Sequence, residues 1–251
     1  MALEDKTGQR VPDVKFKLRE NFQWVTKTTD DFFRDKKVIL FALPGAFTPT
    51  CSMVHLPTYN DLFEAFKANG IDDVICLSVN DSFVMNEWKR AEKADHITML
   101  PDGNGEFSEK LGFLTDKRDK CLGQRSWRYS MIVNNGIIEK MFIEPEEEGD
   151  DPYGESSPET MLKYLSPDAR LPDSVTIFTR PGCRFCARAK ELLRKNELKF
   201  EELVLNKEFS IRTAKAISGS SKLPQIFING KKIGGAEDLE KYLNSNIKQA
   251  A

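Results

Sequence analysis

Two short apolar runs constrain this chain more than any other feature. Val38-Ile39-Leu40-Phe41-Ala42-Leu43 and Val74-Ile75-Cys76-Leu77-Ser78-Val79 have strand length and are apolar at nearly every position. A strand wet on one face alternates apolar with polar residues, whereas a near-continuous run fits a central parallel strand covered on both faces. Between the two runs, the spacing of Tyr59–Phe66 predicts a helix ending at Asn69-Gly70, with Pro57 bending or offsetting its start. Asn80-Asp81-Ser82 then supplies an N-cap for a helix to about Ala94, and Ile97–Leu100 gives a shorter strand. Tyr129–Val133 and Ile137–Ile143 flank Asn134-Asn135-Gly136, a hairpin signal, and the alternation of Val14, Phe16, Leu18, Phe22 and Trp24 predicts an opening hairpin. The pattern is an α/β layer on a mixed sheet.

From Glu144 to Glu159 the chain turns acidic and rich in Gly, Pro and Ser, a composition that does not bury a core. A short helix, Pro158–Leu165, and a proline-bracketed connection, Ser166–Pro172, follow. Beyond it the pattern restarts. Strand Val175–Thr179, helix Cys186–Lys195, strand Lys199–Leu205, helix Phe209–Ile217, a hairpin of Gln225–Ile228 with Lys231–Ile233 about Asn229-Gly230, and helix Glu237–Asn244 resemble the minimal thioredoxin-like plan. The fold expectation is α/β with two thioredoxin-fold domains, each a mixed central sheet flanked by helices: residues 1–165, a linker at 166–173, and residues 174–251.

No apolar run approaches the roughly 18–20 residues needed to span a bilayer, and the start lacks the order of a secretory signal, so the expected location is the cytoplasm and no membrane partner is expected. A net charge of −2 gives no sign of nucleic-acid binding. The charge is uneven, with 15 Lys/Arg against 9 Asp/Glu from Asp173 onward, as befits separate modules. Five cysteines in such a chain argue for catalytic or redox use rather than a disulfide scaffold. Only His55 and His96 accompany them, and Cys183-x-x-Cys186 has no second ligand pair, so no metal site is expected.

Cys51 stands where a loop enters a helix N-terminus, a place that favours thiolate over thiol. A cysteine attacking a peroxide needs a thiolate, a neighbour to orient the O–O bond, and donors for the departing oxygen. Thr48 offers a hydroxyl that accepts and donates, Pro44 closes one wall against water, and the cation comes from Arg125 or Arg128. Pro44-x-x-x-Thr48-x-x-Cys51 resembles the peroxiredoxin active-site motif. Its form, Pro-Gly-Ala-Phe-Thr-Pro-x-Cys, is that of the branch including plant type II enzymes, and the likeness extends through His55-Leu56-Pro57, Leu77–Asp81, Trp88 and Arg128–Met131. The resemblance implies Cys51 as the peroxidatic nucleophile, with Pro44, Thr48 and Arg128 as partners and Arg125 as the competing arginine. Cys76, inside an apolar strand, reads as a packed thiol. Cys121 reads as a loop thiol or a resolving cysteine, His55 as polarising the site or as a packing and hydrogen-bonding element, and His96 as a surface residue.

Thr179-Arg180-Pro181-Gly182-Cys183-Arg184-Phe185-Cys186 sets a second cysteine at a strand-to-helix junction among arginines, so Cys183 reacts first and Cys186 is set back. The segment resembles glutaredoxin. By that resemblance Lys222-Leu223-Pro224 holds a cis proline facing the site, Arg180 pairs with a glutathione carboxylate, Leu223 bonds the tripeptide through its main chain, and Ala236 with Glu237 holds the γ-glutamyl end. The chain departs from the family in having Cys-Arg-Phe-Cys and Lys-Leu-Pro for the usual Cys-Pro-Tyr-Cys and Thr-Val-Pro. Taken whole, it resembles the bacterial fusions of a peroxiredoxin to a glutaredoxin.

The function implied is a glutathione-dependent thiol peroxidase acting on hydrogen peroxide and alkyl hydroperoxides. Its partners would be peroxides and glutathione as reducing co-substrate, with no permanently bound cofactor, in a homo-oligomer, dimer or tetramer. The alternatives are a peroxidase resolved by Cys121, a protein deglutathionylase, and a redox sensor.

Overall fold

The computed structural model describes residues 3–146, 151–169 and 171–247. Residues 147–150 of the acidic stretch and Arg170 of the connection lie outside the described residues. The chain divides into two compact units at Leu171/Pro172.

In the first unit, β1 (Lys15–Glu20) and β2 (Gln23–Thr28) pair as the expected opening hairpin. There follow α1 (Thr29–Phe33), β3 (Lys37–Ala42), the Cys51 loop, α2 (Leu56–Asp61), α3 (Phe63–Ala68), β4 (Asp73–Ser78), α4 (Ser82–Ala91), β5 (Thr98–Pro101) and α5 (Glu106–Leu111). Two three-residue strands, β6 (Leu114–Asp116) and β7 (Gln124–Ser126), precede the longer pair β8 (Tyr129–Asn134) and β9 (Ile137–Ile143), and α6 (Pro158–Leu165) closes the unit. The main sheet runs β5-β4-β3-β8-β9, parallel from β5 to β3 and antiparallel beyond. Asn135 (φ 48°) and Gly136 (φ 79°) turn the β8–β9 hairpin in the paired left-handed conformation that a two-residue turn requires.

The two apolar runs are central because they are covered on both faces. Successive side chains alternate between faces. Val38, Leu40, Ala42, Ile75, Leu77, Tyr129, Met131 and Val133 fill one core. Ile39, Phe41, Val74, Cys76 and Ile132 fill the other, which also holds Cys51, Tyr59, Phe66 and Trp88. The second core is where the loop after β3 delivers its cysteine.

Three departures from the sequence reading have local causes. The helix expected over Tyr59–Phe66 is two helices broken at Leu62 (φ −87°, ψ 2°). The helix after Asp81 stops at Ala91, and Lys93 beyond it is left-handed (φ 53°). The acidic stretch after Ile143 does enter the interior, since Glu144, Ser156 and Ser157 are buried among polar partners.

The second unit has β10 (Val175–Thr179), α7 (Arg184–Lys195), β11 (Glu201–Val204), α8 (Ile211–Ser218), β12 (Gln225–Ile228), β13 (Lys231–Gly234) and α9 (Ala236–Ile247). Its sheet runs β11-β10-β12-β13, with the first pair parallel and the others antiparallel. Helix α7 carries Cys186, Ala189 and Leu193 buried on one face, at the spacing of successive turns.

Candidate active site

Cys51 is fully buried at the start of the helix that follows β3. Helical residues begin at Pro49, whose missing N–H costs nothing in a first turn. Cys51–His55 is a π-helical turn, closed by the Leu56 N–H on the Cys51 carbonyl. Pro57 lacks the N–H that a regular helix would direct to Met53, and the wider turn lies immediately before it. The loop is tied to the end of β4: Ala46 N–H and Ser78 Oγ both donate to Asn80 Oδ1, at 3.0 and 2.8 Å. Thr48 Oγ1 donates to the Gly45 carbonyl at 2.8 Å, while the Thr48 carbonyl accepts from Ser52 N–H at 3.0 Å. Pro44 is buried, and Trp88 Nε1 donates to Ser52 Oγ at 2.8 Å beneath the helix.

Arg128, 1% exposed, comes from the entry to β8. Its Nη2 donates to Cys51 Sγ at 3.5 Å and to Asp151 Oδ1, and its Nη1 bonds His55 Nδ1 at 2.9 Å. Burial opposes the guanidinium charge, but Cys51 and Asp151 outweigh it and hold Arg128 above its ordinary pKa. Burial, and then the Arg128 charge, hold His55 well below the usual histidine range, so the ring is neutral. Arg125 goes elsewhere: its Nε donates to the Leu122 carbonyl at 2.8 Å, its Nη1 to the Val79 carbonyl at 3.3 Å, and it lies over Gly45. Of the two arginines, Arg128 is therefore the one on the sulfur.

The second site has a different construction. Cys183 is the N-cap of α7, and its Sγ accepts from Cys186 N–H at 3.2 Å. Burial opposes ionisation of Cys183, but hydrogen bonds from Cys186 and Phe185 and the Arg180 charge outweigh it and lower the pKa. Cys186 is pushed up to about 11, first by burial and then by Cys183. Cys183 Sγ lies 3.7 Å from the Leu223 carbonyl, and the Leu223–Pro224 bond is cis. Leu223, Pro224, Ala236 and Glu237 line one groove of about 380 Å³, while Arg180, Cys183 and Cys186 line a second of about 540 Å³. The Leu223 carbonyl beside Cys183 joins the two sets. Gly235 N–H is already taken by Asp238 Oδ2 at 2.9 Å, fixing the N-terminus of α9.

Residues 6–160 match the Redoxin family and residues 175–233 the Glutaredoxin family. The hybrid peroxiredoxin hyPrx5 of Haemophilus influenzae is 54% identical over 235 residues, covering 94% of this chain and 97% of that protein. The chain belongs to the hybrid peroxiredoxins. A peroxiredoxin of Synechocystis is 55% identical over 172 residues, which cover 63% of the hybrid peroxiredoxin and 90% of the relative. Among solved structures, a reduced peroxiredoxin of Vibrio vulnificus in complex with hydrogen peroxide aligns with a TM-score of 0.60 and 39% identity, covering 64% of this chain and 98% of that one. The hybrid peroxiredoxin is thus a peroxiredoxin-type peroxidase carrying a glutaredoxin domain, and both domains have the thioredoxin fold.

Of the remaining cysteines, Cys76 is fully buried in β4, with its pKa raised well above the ordinary thiol range by burial and next by Cys51. Cys121 is exposed in the β6–β7 loop in a left-handed conformation (φ 57°). His96 is exposed and stacks on Phe63. The sequence reading missed Asp151, Tyr153 and Ser156, which lie in the acidic stretch and contact Arg128 or His55.

Proposed function

We propose that this hybrid peroxiredoxin is a glutathione-dependent thiol peroxidase for hydrogen peroxide and alkyl hydroperoxides. The observation that carries the reading is the buried Arg128 guanidinium 3.5 Å from Cys51 Sγ, a fixed positive charge facing a buried sulfur. Cys51 thiolate attacks the nearer peroxide oxygen. The S–O bond forms, the O–O bond breaks, and the departing oxygen takes up a proton and leaves as water or an alcohol. Thr48 orients the peroxide, Pro44 excludes water, and Arg128 stabilises the charge shifting between the oxygens.

Cys51 sulfenic acid then condenses with the thiol of glutathione, releasing water and forming a mixed disulfide. Cys183 thiolate attacks the glutathione sulfur and frees Cys51. A second glutathione attacks Cys183-bound glutathione, leaving as the oxidised dimer and restoring Cys183. Arg180, Leu223, Pro224, Ala236 and Glu237 hold the tripeptide, and Cys186 serves as the second thiol where a dithiol is needed. Residues 1–165, the connection at 166–173 and residues 174–251 divide the labour, and the tether raises the effective concentration of one domain about the other, whether the exchange runs within one chain or between chains of an oligomer. The exposed side chains of Phe47, Met53 and Phe83 favour self-association into a dimer or tetramer, and the working compartment is the cytoplasm.

The test is peroxide consumption coupled to glutathione, glutathione reductase and NADPH. Cys51→Ser should abolish turnover with every reductant, and Cys183→Ser should abolish the glutathione-dependent rate while sparing the first oxidation of Cys51. Full glutathione-dependent turnover by Cys183→Ser would sink the electron route.

A further inference from the structure

Glu144 is a carboxylate with 1% exposure that plays no part in the chemistry above. It lies at the end of β9, its N–H bonding the Arg128 carbonyl at 3.2 Å and its carbonyl accepting from Trp127 Nε1 at 2.8 Å. The side chain turns the other way, into the returning chain. Its Oε1 accepts from Gly154 N–H at 2.9 Å, Ser156 N–H at 2.8 Å and Ser156 Oγ at 2.6 Å, while Oε2 accepts from Glu155 N–H at 3.3 Å. A buried carboxylate with four donors is a rigid anchor, because losing it strands the buried Ser156 N–H and hydroxyl and frees the Gly154 and Glu155 N–H groups from their shared acceptor.

What the anchor holds is the Ser156 carbonyl. That oxygen faces Tyr59 O–H at 3.0 Å and His55 Nε2 at 3.3 Å. A carbonyl only accepts, so the His55 proton is drawn to Nε2 and the lone pair is left on Nδ1. Nδ1 faces Arg128 Nη1 at 2.9 Å, and a guanidinium only donates, so the same tautomer satisfies both contacts. With the opposite tautomer two N–H groups would collide, and Arg128 would lose the acceptor that holds its plane toward Cys51.

We propose that Glu144 and Ser156 are positioning residues for the peroxidase: they fix the tautomer of His55, and through His55 the guanidinium that touches Cys51 Sγ. The inference rests on Cys51 being the nucleophile. The groups facing His55 are Arg128, Tyr59, Tyr153 and the Ser156 carbonyl, with Phe41 as the apolar neighbour, while Cys51 and Asp151 share Arg128 with it. Among these His55 is the joint, because it alone touches both the anchored carbonyl and the arginine.

The chain has two histidines, so histidine-selective 15N NMR of the full-length reduced protein reads His55 against His96 alone. The wild type should show His55 as a single Nε2-protonated tautomer that does not titrate between about pH 5 and 8. Glu144→Ala should give a mixed tautomer and a Cys51 oxidation rate lower by about 10- to 100-fold. Glu144→Gln, which retains an oxygen in place of Oε1, should restore the single tautomer and most of the rate. An Nδ1-protonated His55 in the wild type would overturn the proposal even if Glu144→Ala failed to fold. So would a folded Glu144→Ala with unchanged tautomer and rate. Peroxide reduction surviving in Cys51→Ser would instead overturn the nucleophile assignment and leave the tautomer result standing.

Discussion

Cys51 and Cys183 occupy the same place in two related folds, the turn where a strand hands the chain to a helix, yet they are held in opposite ways. Cys51 is sealed off, 0% exposed, and faces a buried side-chain cation. Cys183 is 9% exposed and lies at the rim of a groove, served chiefly by N–H groups of its own helix. The two arrangements suit different partners. A peroxide is small and neutral, and its reduction pushes charge onto a leaving oxygen, which a desolvated guanidinium stabilises strongly. A mixed disulfide is bulky and must reach the sulfur from outside, so an open helix terminus is the better host.

The largest effect expected from breaking this contrast is at Arg128. Arg128→Met keeps the volume and removes the cation, and stopped-flow oxidation of Cys51 should slow by about 100-fold or more. A change of only a few-fold would mean that Cys51, like Cys183, relies on its helix. The same substitution should leave reduction of a glutathionylated peptide by Cys183 unchanged.

A pH series sharpens the contrast between the two thiols of the second site. The thiolate is the reactive form, and the Cys183 pKa is lowered while that of Cys186 is pushed up to about 11. In a Cys51→Ser, Cys121→Ser background, iodoacetamide should therefore label Cys183 at pH values below the ordinary thiol range. Cys186 should stay silent until the pH approaches its raised value. Equal labelling of both cysteines at neutral pH, read by peptide mass mapping, would refute the assignment of Cys183 as first to react.

The smallest effect is on stability. Serine is a good N-cap, so Cys183→Ser should change unfolding free energy by no more than about 0.5 kcal/mol. Cys51→Ser leaves a smaller group beside a buried guanidinium and should cost about 1–2 kcal/mol in the first unit, measured by denaturant titration. Equal losses at the two positions would show that the sulfurs have equivalent surroundings.

Much of this architecture is legible in the residues themselves. The apolar runs at Val38 and Val74 mark β3 and β4, and the Asn-Gly pairs at 135–136 and 229–230 mark two hairpins, because such turns admit few other residues. Motif spacing leaves the choice between Arg125 and Arg128 open, though strand alternation bears on it: Arg128, Ser130 and Ile132 share a parity, and Ile132 packs in the same core as Cys51. Helix α5 and strands β6 and β7 are too short for periodicity to announce. The acidic stretch misleads for a physical reason. Composition reports that a segment is polar on average, whereas burial of Glu144 and Ser156 depends on which backbone donors the chain folds toward it.

The π-helical turn at Cys51–His55 has a bearing on how the sulfur is aimed. An α-helix advances about 100° per residue, so a turn that takes in one surplus residue rotates everything before it by roughly that angle relative to everything after it. Cys51 opens the widened turn and His55 closes it. Rewinding that one turn to α-geometry would swing the sulfur away from Arg128 while leaving Tyr59 and the helix beyond it in place. The placing of the sulfur is thus a matter of phase along a helix, and the difference between a sulfur facing its cation and one facing elsewhere is a single residue of winding.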